Sequence, residues 1–290
     1  MDKQIAALRA AAPCRTAPCA APPAPAAAPV RVPRYGFVDT LRGLTLVSMV
    51  LYHLAWDWVF LFGHRAAWYT GTAGYVWQQS ICWAFIVISG FCAALPSGTR
   101  PAGRARRALA LIGWGLVVTA VSFFVIPTQP ILFGILTFLG AASLGTLALD
   151  GPLRRIAPGP GLALCLAAFA VLRDFNYERL GFEGRTLLQL PHGWFELGPV
   201  GTFFGLQEAR PLMADYFSLV HWIFLFWAGF FAGRCLLRRS GAAGDDVLPT
   251  LFRQSVPWLA RAGRHTLAVY LLHQPVLYGL LSLGAWLAGS

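Results

Sequence analysis

The sequence predicts an all-α, polytopic membrane helix bundle of about seven transmembrane helices with its N-terminus in the cytoplasm. Three observations predict it. Hydrophobic residues make up 57% of the 290 and charged residues only 12%, where a soluble domain carries about 25% charged residues. Apolar runs recur near 42–62, 76–95, 108–126, 131–149, 161–172, 217–236 and 266–288, and most approach the ~20 residues that a spanning helix needs. Basic residues alternate with these runs. Eighteen fall on segments that share the N-terminal side and five on the other, the asymmetry expected of a chain that starts in the cytoplasm.

Taken in order, residues 1–33 form a tail rich in Ala and Pro ("APCAAPPAPAAAPV"), expected to be disordered. It has no apolar core of a secretory signal after its early charges. Residues 34–290 are the membrane domain. The run at 161–172 is short and is read as extending into "RDFNYERL". Residues 173–216 form one long outer segment, slightly acidic and carrying the Gly- and aromatic-rich "LPHGWFELGPVGTFFG". A loop of that length is expected to act as a lid or a substrate-binding rim. No internal repeat argues for an inverted-repeat transporter.

Net charge is +11 and the pI about 10. In a membrane chain those charges report topology, so nucleic acid is not expected as a partner. The six Cys show no CxxC or Cys/His spacing; they read as unpaired thiols, and no metal site is expected.

The chemistry is expected on the first helix, "DTLRGLTLVSMVLYHLAWD" (39–57). Ionisable groups inside a bilayer are costly and face a cavity or a partner. Arg42 and His53 are eleven residues apart, about three turns plus ~20°, with ~16 Å of rise. Asp57 follows His53 by one turn. Leu46 and Val50 are assigned to the opposite face. Arg42 suits an anion such as phosphate at the inner mouth, and His53 suits a base at depth. Asp57 is expected to fix the tautomer of His53. His64 opens the outer loop after Gly63.

Other candidates are weaker. His273 and Gln274 precede Pro275, which is expected to kink the last helix and open a cavity. Gln78 begins the second helix on the outer side. Asp215 and Tyr216 mark the outer entry of the sixth helix. Arg104 and Arg107 lie in "RARR", chiefly a topology signal.

"FVDTLRGLTLVSMVLYH" resembles the opening of the heparan-α-glucosaminide N-acetyltransferase catalytic-domain family, and its R-x10-H interval resembles that of membrane acyltransferases that modify surface glycans. Four later blocks are similar to the family in order: "WAFIVISGF" (83–91), "FGILTFLGAASL" (133–144), "ADYFSLVHWIFLFWAGFFAGR" (214–234) and "AGRHTLAVYLLHQPVL" (262–277). The resemblance implies acyl transfer from cytoplasmic acetyl-CoA or another acyl-CoA, as co-substrate, to an extracytoplasmic sugar or lipid-linked acceptor. It implies a multi-pass protein of the bacterial inner membrane, surrounded by membrane lipid, and it leaves room for a homo-oligomer.

His53 matches the motif His, with Asp57 in support. In the lysosomal members that place is Asn and the catalytic His comes eleven residues later, where this chain has His64. Arg42, with Arg104 and Arg107, would meet the CoA phosphates. Asp215, Tyr216, His273, Gln274 and Gln78 would meet substrate. The chain departs from the family pattern at Thr137, where members often have His, and at Ser218 and His221, where they usually have Pro. Two rivals remain: a transporter of lipid-linked glycan, small molecules or protons using the same stripe, and a b-type haem protein with His53 and His273 as axial ligands.

Overall fold

The computed structural model describes residues 35–96, 98–125, 127–128, 130–206, 215–241 and 248–288. The N-terminal tail, with Cys14 and Cys19, lies outside the described residues.

The described helices are α1 (Gly36–Trp56), α2 (Ala67–Thr70), α3 (Thr72–Ala94), α4 (Pro101–Val125), α5 (Ile135–Ala148), α6 (Asp150–Arg155), α7 (Pro158–Leu172), α8 (Gly198–Phe204), α9 (Leu219–Gly241), α10 (Pro257–Arg264) and α11 (Thr266–Ala288). Among the described residues, six apolar helices are long enough to cross a membrane: α1 with its π-helical extension, α3, α4, α7 with the turn after it, α9 and α11. The chain is therefore a multi-pass membrane protein. The seventh apolar run forms α5, only 14 residues long.

Short as it is, α5 follows α9 in depth. Phe133, just ahead of α5, accepts a backbone hydrogen bond from Phe217. Farther along, Trp227 donates to Thr146 at 3.0 Å. At the other end Arg234 donates to the carbonyls of Leu153, Arg154 and Ile156. Residues 130–134 and α6 thus supply the length that α5 lacks. Arg234 also satisfies carbonyls at the C-terminus of α6 that a helix end leaves open.

α9 is the axis, with half of its apolar stretch buried against 6% for α11. Around it gather Leu46 and Met49 of α1, Ile81, Phe85 and Ile86 of α3, Phe138 and Ala142 of α5, and Phe169 of α7, closing on Trp222 and Phe226. Contact between α3 and α9 depends on two glycines. A Cβ on Gly90 would overlap the Phe226 carbonyl, and one on Gly229 the Val87 carbonyl. Backbone-to-backbone packing of this kind is how membrane helices gain dispersion energy without a hydrophobic driving force. Gly90→Leu should therefore cost about 3 kcal/mol or more, read as a lower midpoint of thermal unfolding in detergent.

The fifth run is longer than its sequence core and starts at Pro158, which suits a first helical position. It does not continue through "RDFNYERL". α7 stops at Leu172, a 3-10 turn spans Phe175–Tyr177, and a hairpin follows: β1 (Arg179–Phe182) pairs antiparallel with β2 (Arg185–Gln189). The hairpin is a small β addition to the helical bundle. α11 runs on through Pro275.

At the hairpin end, Arg173 clasps Glu183 at 3.0 Å and Gln79 of α3 at 2.9 Å. At the opposite, Arg-rich end, α10 lies tightly on the start of α1. A Cβ on Gly43 would overlap the Leu259 carbonyl, and one on Gly263 the Asp39 carbonyl.

Candidate functional site

α1 regularly presents His53 to the interior and then changes pitch. Residues Asp57–Leu61 form a π-helical turn, and Phe62 N–H donates to Asp57 C=O, five residues back. Wide turns of this kind are frequent at functional sites. The helix ends there, and Gly63 takes a positive φ of 71°.

Asp57 is fully buried, 0% exposed, and accepts a 2.6 Å hydrogen bond from Gln274 Nε2 of α11. One residue before Gln274, the His273 ring meets the His53 ring edge to face, centroids 4.7 Å apart. The structure thus joins His53, Asp57, His273 and Gln274 between α1 and α11. That contact leaves no gap for a porphyrin between the two imidazoles, as bis-His ligation would need.

Both tautomers are set by backbone carbonyls. His53 Nδ1 lies 2.9 Å from Met49 O, and His273 Nδ1 lies 2.7 Å from Tyr270 O. A carbonyl only accepts, so each Nδ1 is the donor and each neutral ring keeps its lone pair on Nε2. Asp57 therefore does not orient His53; Met49 O does, and the expected role for Asp57 is corrected to holding Gln274.

Three buried polar atoms at this junction have no partner among the described residues: Asp57 Oδ2, Gln274 Oε1 and His273 Nε2. All three are hydrogen-bond acceptors. Buried polar groups are nearly always paired, so the junction calls for a guest that donates several hydrogen bonds.

Asp215 approaches the same place from the outer side. Its Oδ2 accepts from the Tyr270 hydroxyl at 3.4 Å, and it adjoins the N-terminus of α5 at Gly134 and Ile135. Burial pushes its carboxyl above the usual carboxylate range, opposed by the nearby His53 and by the Ile135 and Tyr270 hydrogen bonds. Tyr216 bonds through its hydroxyl to the Thr202 carbonyl of α8. It ties the outer segment down and is not joined to the junction.

The remaining candidates separate. His64 is exposed and stacks on Trp58, centroids 4.0 Å apart. Gln78 is half-buried at the outer end of α3; its neighbour Gln79, rather than Gln78, carries the polar contacts there.

At the Arg-rich end, Arg42 bonds Cys92 Sγ at 3.0 Å and Asp39 at 3.5 Å, while Arg104 reaches Ala93 O at 3.4 Å. Two predicted anion-binding residues therefore converge on the same end of α3. Arg107, three residues past Arg104, is exposed.

Leu46 is not on the opposite face of α1. Four residues advance ~400°, so it stands only ~40° from Arg42. Leu46 and Met49, both buried in the core, fill the line between Arg42 and His53. A shallow cleft lined by Gly115, Val118, Ile131, Gly134, Leu136 and Tyr270 touches the junction from the α4 side instead.

Residues that sequence reasoning passed over are Tyr270 and Met49. Tyr270 was legible, standing one helical turn before His273 in the "YLLH" block. Met49 acts through its backbone, which no side-chain pattern reveals. His221 and Ser218, singled out only as departures, form a buried network: Ser218 Oγ lies 2.9 Å from both His221 Nδ1 and Asn176 Oδ1, linking α9 to the turn after α7.

A family model described as heparan-alpha-glucosaminide N-acetyltransferase, catalytic, matches residues 34–275. Neither a curated protein nor a solved structure matches the chain.

Proposed function

Because the chain belongs to the heparan-α-glucosaminide N-acetyltransferase catalytic family, a family of membrane acetyltransferases, we propose that it moves an acyl group, acetyl foremost, from cytoplasmic acyl-CoA to a hydroxyl or amine on an extracytoplasmic acceptor. Its proposed location is the bacterial inner membrane. The observation that supports this reading is the set of partnerless hydrogen-bond acceptors around His53. Sugar hydroxyls and amines donate hydrogen bonds, so such a molecule would satisfy Asp57, Gln274 and His273 together.

In the proposed reaction the acceptor O–H or N–H lies against His53 Nε2. His53 takes the proton as the acceptor's lone pair attacks the thioester carbonyl. The tetrahedral intermediate then expels the CoA thiolate, and the imidazolium returns the proton to that sulfur. An acyl-His53 intermediate is the alternative route. Holding both substrates in one enclosed site supplies much of the acceleration.

Arg42 and Arg104 would hold the CoA phosphates. Leu46 and Met49 close the direct line to His53 in this packing, so the pantetheine arm enters as α1 and its neighbours part. Arg42→Ala is expected to raise KM for acyl-CoA about tenfold, ~1.4 kcal/mol of binding, with a smaller change in kcat; steady-state kinetics against acyl-CoA concentration checks it.

The proposal as a whole is tested with purified protein in nanodiscs given acetyl-CoA labelled in the acetyl group and a panel of amino sugars and glycans. Mass spectrometry of surface glycans from cells with and without the protein identifies the natural acceptor. Labelled product that disappears in His53→Ala supports the reading. Acceptor movement across vesicles with no thioester cleavage would replace it with a transporter.

A further inference from the structure

The segment from Leu187 to Phe204 holds apolar side chains left uncovered among the described residues. Leu187 is 73% exposed and Val200 71%, with Leu188, Trp194, Leu197 and Phe204 also exposed. Isolated exposed hydrophobes are ordinary, but a concentration of them marks an interaction surface. None belongs to a spanning helix.

Local structure produces this exposure. The β1–β2 register pairs Leu180 with Leu188 but Gly181 with Thr186. Leu187 is therefore the extra residue of a β-bulge, which re-aims a side chain. Adjacent leucines that a regular strand would send to opposite faces both stand uncovered. Most charges of the outer segment are meanwhile drawn into pairs, Arg173 with Glu183, Arg179 with Asp174, and His192 with Glu178 at 2.7 Å, while Arg185 at the hairpin turn stays exposed.

From this sorting we infer that the hairpin and α8 seat in the outer leaflet of the bilayer, with their leucines and Trp194 among the lipid headgroups and upper acyl chains. The partner is lipid rather than protein for two reasons. β1 packs on the outer end of α7, whose own uncovered residues, Leu164, Leu166 and Val171, form part of the lipid-facing surface; the apolar surface continues an existing lipid contact. Trp194 has the amphipathic character of residues that populate the membrane interface. Through Tyr216 and Thr202 the same segment is fastened beside Asp215, so the acyl acceptor would enter at headgroup height.

The test uses the full chain in nanodiscs of phosphatidylcholine or its acyl-chain-brominated analogue, with iodide as the aqueous quencher. Emission from Trp194 is isolated as wild type minus Trp194→Phe; a second reporter is added as Leu187→Trp. Brominated lipid is expected to lower both signals by about half or more, as for an interfacial residue, with iodide having the lesser effect. Quenching by iodide alone would overturn the inference in favour of a water-exposed rim. Quenching by neither would overturn it in favour of protein cover, from a second copy or from residues 207–214. No outcome depends on acyl transfer, so the result stands apart from the proposed function.

Discussion

Replacing His53 with Ala is expected to lower acyl transfer by about 10²–10⁴-fold, the usual contribution of a positioned general base, with little change in KM for acyl-CoA. The ring is held on two sides, by Met49 O at Nδ1 and by the His273 ring edge to face. Both contacts fix the direction of the Nε2 lone pair. Ala removes the proton acceptor without disturbing Arg42, about half a bilayer away along α1. His64→Ala is the control and should leave turnover within about twofold, because surface substitutions away from such features have small effects. Its ring is exposed and stacked on Trp58. Release of CoA thiol and labelled product, measured for both variants at saturating acyl-CoA, checks the pair. The opposite pattern, with His64→Ala inactive and His53→Ala active, would move the base to the outer loop.

Gln274→Leu should be the most damaging single change on α11. It strips from the Asp57 carboxyl, 0% exposed, the hydrogen bond that Gln274 donates. A buried acceptor left without its hydrogen-bond donor typically costs about 1–3 kcal/mol, so a loss of about 2 kcal/mol is expected here. Removing both partners is a different matter, since two apolar groups of similar shape leave nothing unsatisfied. Asp57→Leu combined with Gln274→Leu should therefore recover most of the lost stability, a coupling of about 1–3 kcal/mol in a double-mutant cycle. Activity should not return, because two of the three hydrogen-bond acceptors proposed to meet the substrate are gone. Thermal unfolding of the four proteins, alongside their turnover, separates the two effects. Recovery of activity in the double variant would remove Asp57 and Gln274 from the site.

The six spanning helices and the short apolar α5 were legible because hydrophobic length and Arg placement are local properties of a chain in lipid. The hairpin was not, because β1 and β2 carry no clean alternation and a bulge interrupts their register. Within the site, the shared stripe of Arg42 and His53 follows from helical period alone. The partner of Asp57 does not: Gln274 lies 217 residues away, and only the packing of α11 on α1 brings it near. The expected Asp57–His53 pairing failed for a physical reason. An (i, i+4) carbonyl is always available inside a helix, and Met49 O satisfies Nδ1 first. Leu46 shares the face of Arg42 because four residues advance slightly more than one full turn.

The two walls of the site differ in how firmly they are held. α1 joins a frame keyed by interlocked glycines on α3 and α9, whereas α11, bearing His273 and Gln274, has only 6% of its apolar stretch fully buried. One jaw is anchored deep in the protein and the other lies at its margin, with one side toward hydrocarbon. Bilayer thickness and fluidity would then govern how often the jaws meet. Catalytic output should vary with lipid composition across a range in which the melting temperature of the bundle hardly moves.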